Sequence, residues 1–432
     1  MHARFIVIAS VVLLVPIGSG ARANAETNQY VWGKAHHILP ETTSEESGYF
    51  SLCEGLNGRI YVGTARYGSN AYLVEFDPKT EKQRIVVDAK KVTRDPGAGY
   101  ASQSKIHTRN SVAPSGTIYV GTKQGYPSRE EREKCDIPPY RGGYVITYDP
   151  KTDKARSLGI PWPGFGVIDT VADEARGLIY VVTCEDPYAW MVYDEKPKRY
   201  RWLGPELAPF ATTIIDARGR ANTITWDFKL VRYDPETNTL TRQDIIVDGR
   251  DKLSRLKEER NRIPYWTLAA DGKTAYFAIM QDNKLYRLDL GGDAKGPVAL
   301  TTLGEMVQGA EATDTRSGIT LAPDGRVYLL VKARYAQPGG ALRLHHLVRY
   351  DPKANQLENL GVLAVKNPDF FKFAPGPDGK KPPHSHGYQT LPDDTLTPLH
   401  NHMALIAAHD GTLYATILYP YTLLRIEPTE LR

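Results

Sequence analysis

Two His-x-His pairs, His384-Ser385-His386 and His400-Asn401-His402, place four of the chain's 11 histidines within 19 residues. Residues two apart on a strand point the same way, so each pair can supply imidazoles to one divalent cation such as Mn, Zn or Ca. The alternative is that the rings hydrogen-bond a substrate or the loop backbone. His107, in SKIHTRN, lies between Lys105 and Arg109 with the same orientation. Positive neighbours lower an imidazole pKa and keep the ring neutral, as a general base must be; the same ring could simply plug a channel. Arg316, in TDTRSGI, suits an inner strand only if it meets an anion. It can clamp a carboxylate with both nitrogens, or pair with Asp314 or Glu311.

Other residues extend this set. Tyr49, together with Tyr126, Tyr188 or Tyr335, can pass a proton, and Trp162, Trp190 and Trp266 can stack on sugar rings or fill a core. Lys105, Arg109, Tyr188, Trp266 and His346 are the candidates for holding a substrate, and His345 precedes the last of these. No G-x-S-x-G elbow, P-loop, dinucleotide fingerprint or HExxH occurs, so no organic cofactor is expected.

What must position these residues is a repeat. Aligned on a turn glycine, ten-residue segments read YFSLCEGLNG, HTRNSVAPSG, IDTVADEARG, FATTIIDARG, IPYWTLAADG, RSGITLAPDG and HMALIAAHDG, ending at Gly58, Gly116, Gly177, Gly219, Gly272, Gly325 and Gly411. Most continue into an apolar-Tyr-apolar strand such as RIYVGT or RVYLLV, then into a third strand ending at Asp-Pro or its remnant, as in YVITYDPKTDK. Self-similarity on this scale marks a repeat protein, and four antiparallel strands per unit make a propeller blade. The expected fold is therefore all-β, a seven-bladed β-propeller. Its last unit ends without a fourth strand, whereas residues 30 to 39 are strand-like and unassigned; the N-terminal strand is expected to close the ring in the last blade.

The alignment also locates the mouth of the central channel. The residue nine before each glycine opens the innermost strand: Tyr49, His107, Ile168, Phe210, Ile263, Arg316 and His402. That face receives the long excursions at 87–106, 122–143, 245–262, 332–344 and 364–399, whereas the opposite face carries short turns. Long loops on a rigid scaffold are where function concentrates. Residues 248 to 261 read as a solvated loop or short helix.

Composition sets the compartment and excludes some partners. Arg4, the apolar run from Phe5 to Ile17 and Ala23-Asn24-Ala25 form a secretory pattern. Residues 1–25 are expected to be a signal peptide and 26–432 a single propeller domain, periplasmic or secreted. No later stretch is apolar for long enough to span a bilayer. The net charge of +4 includes Arg4 and Arg22, which leave with the signal, and is too small for a nucleic-acid binder. Cys53 reads as a small buried hydrophobe, and Cys135 and Cys184, in neighbouring blades, could pair or stay reduced.

An exported seven-bladed propeller with His, Arg and Tyr at its mouth resembles the propeller-type polysaccharide lyases, which include oligogalacturonate, ulvan and rhamnose-glucuronate lyases. The oligogalacturonate branch looks closest around His400 and His402, and the resemblance implies a metal ion at that pair, with His and Arg in the chemistry. It further implies β-elimination on an acidic polysaccharide or oligosaccharide containing uronic acid. That reaction removes a proton beside a carboxylate, so it needs a cation to neutralise the carboxylate plus a base and an acid. His107, Arg316, Tyr49 and His402 are the expected catalytic groups. A metal-dependent propeller hydrolase or lactonase would place acidic ligands at the mouth, where the seven positions hold no Asp or Glu. A non-catalytic carbohydrate-binding or scaffold propeller would share the fold without the chemistry.

Overall fold

The computed structural model describes residues 29–43, 50–127, 133, 139–185, 187–254, 262–292, 295–337, 340–370 and 387–432. Each aligned segment ends in a tight turn between antiparallel strands. The seven turn glycines all have φ between +61° and +93°, a region open to glycine and disfavoured for other residues. Each donates its N–H to the carbonyl three residues back at 2.8–3.2 Å. The recurrent Asp after the third strand has its own local reason. Asp77, Asp149, Asp234 and Asp351 each accept the N–H two residues on, at 2.9 Å, closing an Asx turn that ends the strand.

Between these turns the β-branched and aromatic runs form antiparallel sheets in which each strand pairs with the next in sequence. The first consists of Leu52–Glu54, Ile60–Gly63, Tyr72–Phe76 and Gln83–Asp88. Further sheets of this kind end at Lys154–Ser157, Arg199–Glu206, Thr239–Gln243 and Val298–Glu305. Part of the stretch read as loop or short helix is instead a hairpin. Ile245–Val247 pairs with Asp251–Lys252 and runs parallel to Val298–Glu305, making that sheet six-stranded.

The N-terminal strand, Tyr30–His37, has two partners. Its first half runs parallel to Gln356–Val365 with Tyr30 opposite Val362, and its second half runs antiparallel to Thr422–Ile426 with Ala35 opposite Leu424. Val31 and Ala35 are buried there. First strands from all the large sheets line one cavity of about 600 Å3, among them Leu52, Ser111, Val171, Ile214, Tyr265, Ile319 and Leu405. Antiparallel sheets set around a common channel are the architecture of a β-propeller.

The excursion at 332–344 differs from its reading as a loop. Val327–Gln337 and Gly340–Asp351 form one long hairpin, in register from Val327 opposite Tyr350 out to Gln337 opposite Gly340. Its outer half carries Lys332, Arg334 and Arg343, which broke the apolar pattern while the backbone ladder continued. Among the described residues no helix is long and apolar enough to cross a membrane.

Candidate functional site

The long hairpin places Lys332 opposite His345 on one side and opposite Asp314 of the Ala312–Asp314 strand on the other. His402 opens the His402–Ala407 strand and packs edge-on against His345, ring centres 5.3 Å apart at 85°. Lys332 Nζ donates to Asn401 Oδ1 at 2.9 Å. Arg316 turns back onto Asp314, with Nη2 2.8 Å from Oδ2 and Nε 3.2 Å from the same oxygen. This is one of the two pairings open to it in sequence.

Burial decides the protonation of this cluster. It pushes His402 down to about 4, with Arg316 and Lys332 adding to it and Asp314 opposing. It takes His345 well below the imidazole range, helped by His402 and Lys332. The Lys332 amine is lowered to about 8, again chiefly by burial, against Asp314 and with Arg343 and Arg316. Two neutral imidazoles thus adjoin an ammonium group that loses its proton easily. His345 Nδ1 lies 3.1 Å from the Pro398 carbonyl, so Nδ1–H donates and Nε2 carries the lone pair. Neither nitrogen of His402 has a well-formed hydrogen bond among the described residues; the Thr315 backbone offers a weak one. Gly318 makes room for this ring, since a Cβ there would lie 2.8 Å from His402 Nε2.

His107 sits elsewhere on the inner wall. It is 3% exposed, with Phe50 edge-on at 5.5 Å and Phe210 at 6.2 Å. Its pKa is indeed held well below the imidazole range, but burial is the largest cause and the cations are Lys123 and then Lys105. Arg109 does not share that orientation. Its Nε meets Asp169 Oδ1 at 3.0 Å, its Nη2 donates to the Thr213 carbonyl, and it lines the channel cavity. The reason is local: the ladder runs through Lys105–Ile106 and Ser111–Val112 and breaks between them, so the alternation assumed for residues 105, 107 and 109 fails. Lys105 is buried with Nζ 4.0 Å from the centre of the Tyr67 ring and 5.7 Å from that of Tyr126. Lys123 bridges Glu185 and the Cys184 thiol, Sγ at 3.1 Å.

The remaining candidates divide. Tyr188 packs on Phe210 at 5.8 Å and Tyr265 on Phe50 at 6.2 Å, so an aromatic group links the His107 wall to Tyr265. Arg316 and Asp314 in turn act electrostatically on the Tyr265 phenol. Trp266 faces the channel and donates to Thr212 Oγ1 at 3.0 Å, while Trp190 is fully buried. His346 faces away from its neighbour His345 and lines a separate cleft with Tyr335. His400 packs against Tyr419, ring centres 4.5 Å apart, so the two rings of the 400/402 pair have different neighbours. The strand begins at His402 and has an irregularity before Ala404, which removes the regular alternation the pair needed. Among the described residues no group of three or more His, Cys, Asp or Glu is gathered as a metal site. Tyr49, Cys135, His384 and His386 lie outside the described residues.

Sequence reasoning missed Lys332 and Asn401. A signal existed: aligned on the repeat tyrosine, Lys332 stands four residues after Tyr328 as Lys123 stands four after Tyr119. Both put a lysine directly after the apolar run of a second strand.

No known family matches this sequence, and no curated protein matches it. Among solved structures, the β-propeller domain of Cps50 (Swd1) from Myceliophteria thermophila aligns with a TM-score of 0.51 at 12% identity, over 88% of this chain and 97% of that one. YCF48 from Cyanidioschyzon merolae aligns with a TM-score of 0.51 at 10% identity, over 92% and 99%. The periplasmic gluconolactonase PpgL of Pseudomonas aeruginosa aligns at 0.45, with 15% identity over 85% and 96%. The first two similarities are to the fold alone, and they agree with the sheet topology: the chain is a β-propeller.

Proposed function

We propose that this chain is an exported seven-bladed propeller lyase that cleaves a uronate-containing polysaccharide by β-elimination at the cluster around Lys332 and His402. The observation that carries this reading is the meeting of a neutral imidazole, His402, with the Lys332 ammonium group, whose hydrogen-bond partner is the uncharged Asn401. Elimination beside a carboxylate needs these two functions together. Arg316 is engaged by Asp314, so Lys332 takes the substrate carboxylate and His402 takes the neighbouring proton. His107 stands apart from Lys332, beside Phe50 and Phe210, and in this reading it closes the channel.

Seven blades are supported by the seven equivalent turns, and ring closure by the pairing of Ala35 with Leu424. Export rests on the charged, apolar and A-x-A pattern of residues 1–25. His345 Nε2 is better prepared to meet a divalent ion than the His400/His402 pair, because His345 Nδ1 is already oriented by a carbonyl, and this leaves the His402 lone pair for the proton. Such an ion would help neutralise the substrate carboxylate.

The test is incubation of the purified protein with a panel of polyuronates and mixed uronate polymers while following ultraviolet absorbance of an unsaturated uronate. New absorbance that disappears in His402→Ala supports the reading. New reducing ends without that absorbance would make the protein a hydrolase, and neither signal on any polymer would leave the binding-protein alternative.

A further inference from the structure

A second cleft, of about 910 Å3, lies where the end of the Val298–Glu305 strand faces the long hairpin and Gln356–Val365. At its wall three side chains form a relay. Asn359 Oδ1 accepts the Gly361 N–H at 3.1 Å, and the Asn359 amide also meets His346 Nδ1, with Nδ2 at 3.1 Å and Oδ1 at 3.3 Å. His346 is 7% exposed, and burial keeps it neutral, so one of its ring nitrogens donates and the other accepts. Its Nε2 is hydrogen-bonded to the Tyr335 hydroxyl at 2.8 Å. The phenol is thereby held in place at the wall of the cleft.

The rest of the lining fits one kind of ligand. Gln29, Gln308 and Gln337 are exposed amides that both donate and accept, and Met306, Leu344 and Val362 form an apolar floor. Neither Lys nor Arg is among the described lining residues, and the one acid among them, Glu305, accepts from Asn283 Nδ2 at 2.9 Å. A ring with hydroxyls at its edge and C–H bonds on its face matches this set, and a polyanion does not.

We propose that this cleft is a binding site for an uncharged saccharide, read by the Tyr335–His346–Asn359 relay and the three glutamines. It stands independently of the lyase reading, because its residues are separate from Lys332 and His402 and it selects against the carboxylates that site requires.

Calorimetric titration of the full chain with neutral gluco-, galacto-, manno- and xylo-oligosaccharides, and with oligouronates, tests it. At least one neutral series should bind and the oligouronates should not compete. Tyr335→Phe and Gln308→Ala should each weaken binding roughly three- to tenfold, the worth of a neutral hydrogen bond, with unchanged melting temperatures. Absence of binding by every neutral series, competition by oligouronates, or neutral binding insensitive to both substitutions would overturn the proposal.

Discussion

Arg316 holds Asp314, two residues before it in the chain, through two guanidinium nitrogens, Nη2 at 2.8 Å and Nε at 3.2 Å from Oδ2. The arginine is therefore committed inside the protein, and in the proposed reaction Lys332 is the cation that meets the substrate carboxylate. Lys332→Met should lower kcat/KM on the responsive polymer by roughly ten- to a hundredfold, the worth of a hydrogen bond to a charged group, with little change in melting temperature. Arg316→Ala should mainly lower the melting temperature, because it strips Asp314 of its counter-ion. Steady-state kinetics beside thermal melts separate the two, and unaltered kinetics in Lys332→Met would remove the lysine from the site.

Gly318 offers a test of His402 that leaves the imidazole in place. A methyl group there would stand 2.8 Å from Nε2, closer than such contacts occur, so the ring must move. Gly318→Ala should lower turnover by about tenfold or more for a displaced base, without abolishing folding. Wild-type turnover in this variant would mean that the position of His402 is immaterial to the reaction.

Acid should destabilise the protein well before its carboxylates titrate. Burial holds His107 and His345 well below the imidazole range and pushes His346 and His402 to about 4. Below the unfolded value of about 6.5 the unfolded chain takes up protons that these rings refuse, so stability is complete above that pH. It is lost as pH falls from there towards 4, by up to about 1.4 kcal/mol per pH unit for each such ring. Denaturant midpoints measured from pH 7 to pH 4 should therefore drop steeply, and a flat profile would contradict the buried, neutral state of these histidines.

The N-terminal strand is a further structural test. Its residues pair with two strands more than 300 positions away, and Val31 and Ala35 are buried. Deleting residues 29–37 would expose two strand edges at once. The melting temperature should fall by more than about 5 °C, the equivalent of a few kcal/mol in a domain of this size. A truncated chain that melts with the full-length one would show that Tyr30–His37 contributes nothing to closure.

The repeat was legible because its determinants are local. A left-handed turn needs glycine, an Asx turn needs aspartate, and a half-buried strand needs β-branched or aromatic residues, so Gly116, Asp149 and the run around Tyr119 announce their conformations within a few residues. The expectation that the N-terminal strand joins the last unit came from counting strands, and Tyr30–His37 does pair with Thr422–Ile426. The site was legible only as a set of residue types. His402 and Arg316 stood out, but whether Arg316 meets a substrate or Asp314 depends on which carboxylate lies within 3 Å. The divergence of His400 from His402 depends on where a strand actually begins. Lys332 was hidden because charge in a strand extension resembles a loop when its hydrogen bonds cannot be seen. Residues 314, 332, 345 and 402 become neighbours through strand register and sheet packing. Those contacts arise between segments far apart in the chain, so no short stretch of sequence carries them, and burial among them is what sets the charge of each group.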